Sequence, residues 1–100
     1  MDIKVFQKIA EDYGTPVYVF DRKAFEENYR SFVGIFQKRY PNYRLSYSYK
    51  TNYVPYVCKC VKDMGGYAEV VSDMEYNLAK KLGYREAAPY AVWELYGKGE

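Results

Sequence analysis

Lys50 closes the alternating run Leu45-Ser-Tyr-Ser-Tyr-Lys50 and is followed at once by the polar pair Thr51-Asn52. In an extended chain successive side chains point to opposite faces, so Ser46, Ser48 and Lys50 share one face while Leu45, Tyr47 and Tyr49 share the other. Small serines beside the amine leave room for a bulky group, and an amine in partly desolvated surroundings can form a Schiff base with an aldehyde. The plain alternative is a solvated lysine at a strand end. Glu69 lies within Tyr67-Ala-Glu-Val-Val-Ser72, among apolar neighbours where an unpaired carboxylate is costly. It calls for a cationic partner, which Lys50 supplies if the two strands are neighbours; an exposed place on an edge strand is the alternative. Glu75 ends the pattern Ser72-x-x-Glu75, a capping box in which the carboxylate reaches back to the Ser72 N–H. That helix-end role competes with a role facing a cofactor.

The residue types that are missing narrow the chemistry further. Histidine is absent, which removes the commonest general base and metal ligand, so catalysis must use lysine, carboxylates, tyrosines or a cofactor. Cys58 and Cys60 sit two apart in a helical pattern, point in different directions, and are read as packing residues rather than a metal pair or a disulfide. The 14 tyrosines suit strands and half-buried edges, with a tyrosine-built interaction surface as the alternative. With 15 basic and 13 acidic residues there is no charge excess or basic cluster to follow a phosphate backbone, so nucleic acid is not the expected partner. Charges interrupt the stretch from Met1 to Glu11 throughout, so it reads as neither a signal peptide nor a membrane span, and a cytoplasmic chain without membrane partners is expected.

These side chains need elements to position them. Val5, Phe6, Ile9, Ala10 and Tyr13 recur at helical spacing before Gly14, which predicts a short opening helix. Thr15-Pro16 imposes extended backbone, Val17-Tyr-Val-Phe20 reads as a strand, and Asp21 is an N-cap. A long amphipathic helix follows, with Phe25, Tyr29, Phe32, Val33, Phe36 and Tyr40 on its stripe, until Pro41-Asn42 breaks the pattern. After the Lys50 strand, Thr51-Asn52 forms a cap region and Pro55 falls in the first turn of a third helix, buried through Val54, Val57, Cys58 and Val61. Gly65-Gly66 stops it, Tyr67–Ser72 is a strand, and a fourth helix has Met74, Leu78, Ala79 and Leu82 inward and Gly83 as its stop. Neither Gly65-Gly66 nor Gly97-Lys98-Gly99 has the spacing of a nucleotide loop.

Strands alternating with helices predict an α/β protein with parallel strands. Two such units from Lys50 onward are too few to close a barrel of eight strands and typically ~250 residues, so an incomplete TIM-barrel fragment is expected. The division is 1–44, a helix, strand and long helix leading in, and 45–100, the first two β/α units plus a tail. In a barrel, Lys50 and Glu69 would both project inward near the C-terminal rim, where barrel active sites lie.

Three segments in order, Tyr13-Gly-Thr-Pro-Val-Tyr-Val-Phe-Asp21, Tyr47-Ser-Tyr-Lys50-Thr-Asn52 and Gly66-Tyr-Ala-Glu-Val-Val-Ser72-Asp-Met-Glu75, resemble the N-terminal part of the alanine-racemase-fold (fold type III) PLP-dependent amino-acid decarboxylases. That family includes diaminopimelate and ornithine decarboxylases, and the resemblance covers about residues 3–84. It implies that Lys50 holds pyridoxal 5′-phosphate as a Schiff base and later handles the proton. It also implies that Glu69 stands where the family often has an aspartate near the cofactor, and that Glu75 matches a family glutamate close to the active site.

By the same resemblance the substrate is an amino acid and the intact enzyme a homodimer. The cofactor-stacking histidine, glycine-rich phosphate loop, glutamate for the pyridine nitrogen and cross-dimer residues have no counterpart in this sequence, so the chain alone is expected to be inactive. Beyond Tyr84 the family pattern has an apolar strand, an Asn-Gly-Pro-like turn and a lysine. Ala91-Val-Trp93 and Lys98 are candidates for the first and last, with Glu94-Leu-Tyr96 in place of the turn. Two rival readings are a non-enzymatic remnant or interaction fragment that associates through open strand edges, and part of a PLP-dependent racemase of the same fold.

Overall fold

The computed structural model describes residues 2–84, and the expectations for Ala91–Trp93 and Lys98 lie outside them. Within that range the order is α1 (Ile3–Tyr13), α2 (Arg22–Gln37), β1 (Ser46–Ser48), α3 (Pro55–Asp63), β2 (Tyr67–Glu69) and α4 (Asp73–Leu82). Local chemistry sets these limits. Asp21 Oδ1 accepts the Ala24 N–H at 3.0 Å to open α2, and Pro55 occupies the first turn of α3. Ser72 Oγ accepts the Glu75 N–H at 3.2 Å to open α4, and Gly83, in the left-handed region at φ 110°, closes it.

β1 and β2 pair in parallel, with Ser46 opposite Tyr67, Tyr47 opposite Ala68 and Ser48 opposite Glu69. α3 makes the crossover that a parallel pair requires. One face of the pair carries Tyr47, Tyr49, Ala68 and Val70, which pack with Cys58 of α3, Ala79 of α4 and Tyr84 into one core cluster. A second cluster joins Tyr29 and Val33 of α2 to Val61 of α3, with Phe25, Tyr43, Leu45 and Met64 at its margin. Tyr47 borders both clusters, so it links the long helix to the sheet. The helices therefore cover the Tyr47 side, and Ser46, Ser48, Tyr67 and Glu69 alternate onto the other.

Several expectations are corrected. Val17–Phe20 is not a strand, because no other segment of the described residues pairs with it, and all four residues are exposed. Phe20 instead rests edge-on against Tyr56 of α3 at 5.7 Å, beside an Arg22–Tyr56 hydrogen bond of 3.1 Å that ties the start of α2 to α3. The α1 stripe of Val5, Phe6, Ile9, Ala10 and Tyr13 is present, yet α1 buries none of its residues. On α2 only Tyr29 and Val33 are buried and Phe32 and Phe36 are exposed; the helix ends at Gln37, short of the expected break at Pro41, so Tyr40 lies beyond it and is exposed as well. Val54, the N-cap of α3, and Met74 of α4 are exposed, and Cys60 and Glu75 take places in the buried faces instead.

Candidate functional site

The strand that delivers Lys50 is shorter than its alternation predicts. β1 ends at Ser48, and residues 49–51 form a turn in which the Thr51 N–H donates to the Ser48 carbonyl at 3.3 Å. The Tyr49 N–H still donates to the Glu69 carbonyl at 3.0 Å, so the ladder runs one residue past the strand before the chain turns. Lys50 thus stands in the turn directly beyond the C-terminal end of β1. Its side chain is exposed rather than partly desolvated, with no hydrogen bond or ion pair to another described residue.

Neighbouring groups fix that turn tightly. The Tyr49 side chain is fully buried beneath it, and burial raises its hydroxyl pKa well above the ordinary tyrosine value. Asn52 Oδ1 accepts the Val54 N–H at 3.0 Å and leads the chain into α3. The Asn52 carbonyl accepts from the Tyr47 hydroxyl at 3.0 Å and lies 3.8 Å from the Cys58 Sγ. Desolvation pushes the Cys58 thiol up to about 11, so at neutral pH it is a packed, protonated group rather than a nucleophile. Both cysteines are buried and free, as their spacing implies.

Glu69 lies directly across from Ser48, half-buried on the face away from the helices. The expected cationic partner is absent among the described residues, because partial exposure lets water solvate the carboxylate. The Ser48 Oγ is buried without a hydrogen-bond partner on that same face. Glu75 is 6% exposed, and its Oε1 accepts the Val71 N–H at 3.1 Å, one residue earlier than the capping box predicts. It therefore holds the junction from β2 to α4 rather than the Ser72 N–H. Lys50 and the Val71–Glu75 junction follow the C-terminal ends of two paired parallel strands, which brings them to the same end of the sheet.

Two open depressions adjoin this end. One, of about 420 Å³, is lined by Thr51 to Pro55; the other, of about 460 Å³, by Tyr53, Pro55, Met74, Asn77, Leu78 and Lys81. Lys50, Glu69 and Glu75 line neither. Among the described residues no group of three or more potential ligands converges on a metal site, and no helix is long and apolar enough to cross a membrane. The two residues that sequence reasoning missed are Tyr47 and Asn52, as partners across the turn. The expected cap region at Thr51-Asn52 falls short of α3, since Val54 is its N-cap and Asn52 Oδ1 only accepts the Val54 N–H, and the Asn52 carbonyl as a meeting point for side chains was not readable.

The fold and this site define an α/β protein in which a lysine follows the first strand of a parallel β–α–β–α unit. The chain is 31% identical over 77 residues, or 77% of its length, to a diaminopimelate decarboxylase of Aquifex aeolicus, and equally so to one of Methanothermobacter thermautotrophicus. This supports a decarboxylase relationship. The matched region is 17% and 18% of those two proteins, so the chain spans about a sixth of the length of the curated relatives it matches. No family model and no solved structure matches it.

Proposed function

We propose that this chain corresponds to the N-terminal part of a PLP-dependent amino-acid decarboxylase of the diaminopimelate/ornithine type, with Lys50 as the residue that carries pyridoxal 5′-phosphate. The observation that carries the reading is the position of Lys50: an exposed amine directly beyond the C-terminal end of β1, in a chain 31% identical to two decarboxylases. In this reading β1 and β2 are the first two strands of a barrel whose reactive end is the C-terminal one, and residues 1–44 lead into it. The intact enzyme acts in the cytoplasm as a homodimer on an amino acid, and the 100-residue chain alone is inactive.

The residues present suit the cofactor at its aldehyde end. Lys50 offers a free amine, Ser46 and Ser48 are small, and the Ser48 Oγ is a buried hydroxyl still able to donate one hydrogen bond. When bound, the cofactor supplies an electron sink for the pair left behind as CO₂ departs. Lys50 Nζ would hold the cofactor covalently and, when free, would hold or move a proton at that nitrogen. Glu69 places its carboxyl group on the Ser48 face, and Glu75 fixes the backbone at Val71, beside the last residues of β2.

Borohydride reduction of the full-length protein with pyridoxal 5′-phosphate, followed by peptide mass mapping, tests the assignment. The adduct is expected on Lys50 and absent from Lys50→Ala. An adduct of equal yield on another lysine in that variant would remove Lys50 from the role.

A further inference from the structure

The turn that presents Lys50 is closed by side chains as well as by backbone. Tyr47 lies three residues before the lysine and Asn52 two residues after it, and the Tyr47 hydroxyl donates to the Asn52 carbonyl at 3.0 Å. This bond spans the segment that contains Lys50 and converts it into a closed loop. The Cys58 thiol, fully buried on α3, approaches the same carbonyl at 3.8 Å. Asn52 is thereby held against the helix that follows, while the Tyr47 ring packs at the border of both core clusters. The hydroxyl is thus aimed by a ring that the core already fixes.

We propose that Tyr47 is a positioning residue for Lys50: its hydroxyl, with the Cys58 thiol, clamps the Asn52 carbonyl and fixes the turn from which the amine projects. The proposal rests on the reading of Lys50 as the cofactor-bearing lysine and adds the device that orients it. An exposed lysine on an unbraced turn samples many directions, and each lost direction that a bound group would otherwise have to impose raises reactivity at the remaining one. The Tyr47 hydroxyl bonds the Asn52 carbonyl and not the amine, so it acts through the backbone of residues 49–52. The thiol gives a weaker second hold, as expected for a sulfur donor.

Two measurements test this, hydrogen exchange on the 100-residue chain and cofactor trapping on the full-length protein, with Tyr47→Phe as the principal variant because it removes the hydroxyl and keeps the ring. The first is amide hydrogen exchange at Thr51 and Val54, whose N–H groups are bonded within the turn, with Tyr76 in α4 as the reference. Loss of one hydrogen bond of ordinary strength predicts exchange about fivefold faster at Thr51 and Val54 and unchanged at Tyr76. The second is the share of borohydride-trapped pyridoxal 5′-phosphate found on Lys50 relative to Lys59 and Lys62, which is expected to fall in the variant.

Unchanged exchange, or an increase spread equally to Tyr76, overturns the clamp. Faster local exchange with an unchanged Lys50 share overturns the positioning role. Cys58→Ala, expected to give a smaller rise at the same amides, decides the matter by the same criteria if Tyr47→Phe does not fold. A full-length wild type that traps no more cofactor on Lys50 than on Lys59, with the exchange effect intact, leaves the clamp standing and instead overturns the functional reading.

Discussion

Cys58 carries the clearest proton linkage in the structure. Burial holds its thiol up to about 11 from an ordinary value of 9.0, and burial raises the neighbouring Tyr49 and Tyr84 hydroxyls in the same direction. Between pH 9 and 11 the unfolded chain has lost the thiol proton while the folded chain retains it. The unfolded state then binds fewer protons, so stability falls as pH rises through that window; it is fully present below about pH 9. Urea unfolding at pH 8, 9, 10 and 11 should show the midpoint declining from pH 9 upward, and less steeply in Cys58→Ala after its own cavity cost at pH 8 is subtracted. Equal slopes in the two proteins would mean that Cys58 does not contribute to the linkage. The Glu75 carboxylate accepts the Val71 N–H and so secures a chain junction, a role its sequence pattern alone does not separate from one facing a cofactor.

At the scale of elements, the passage from α3 into β2 depends on two adjacent glycines with different duties. Gly65 sits at φ 88° with open space where a side chain would go, whereas a Cβ on Gly66 would meet the Val61 Cγ1 at 2.5 Å and the Tyr29 hydroxyl at 2.6 Å. Gly65→Ala should cost about 1 kcal/mol through its backbone alone. Gly66→Ala should cost roughly 2 kcal/mol, because it overpacks the contact between α2 and α3. Denaturant midpoints of the two variants give the order directly, and a larger loss at Gly65 would contradict the close approach at Gly66. The starts of α2 and α4 and the ends of α1 and α4 were legible because Asp21, Ser72, Gly14 and Gly83 act within a few residues of sequence. By contrast, α2 ends at Gln37, short of the Pro41 break, and α3 is capped at Val54 rather than at Thr51-Asn52. Val17–Phe20 was not legible either, since its β-rich composition matches that of a strand while pairing depends on a distant partner. The site divides in the same way: alternation marked β1 but carried it two residues too far, since the strand ends at Ser48 and leaves Lys50 in the turn, and the bond to Asn52 uses a backbone carbonyl, which every residue has and no sequence pattern marks.

For the molecule as a whole, the question is what covers the surfaces that the described core leaves open. α1 has 11 residues and buries none, while helices shorter than about 12–15 residues are marginal in water without tertiary packing. Next to it in sequence, Val17, Val19 and Phe20 are exposed on a segment with unpaired backbone groups, and both outer edges of the β1–β2 pair are free among the described residues. Such edges and apolar faces associate. In a solution of the 100-residue chain alone the partner at hand is a second copy, so sedimentation should show mass rising with concentration. If that contact covers α1, far-UV helicity should rise over the same concentrations. Phe6→Glu combined with Val19→Lys should shift both curves to higher concentration, because each places a charge on an exposed apolar position without touching either core cluster. A chain that sediments as a monomer throughout, with the α1 amides protected from exchange, would show that these faces need no second copy and would count against association through them.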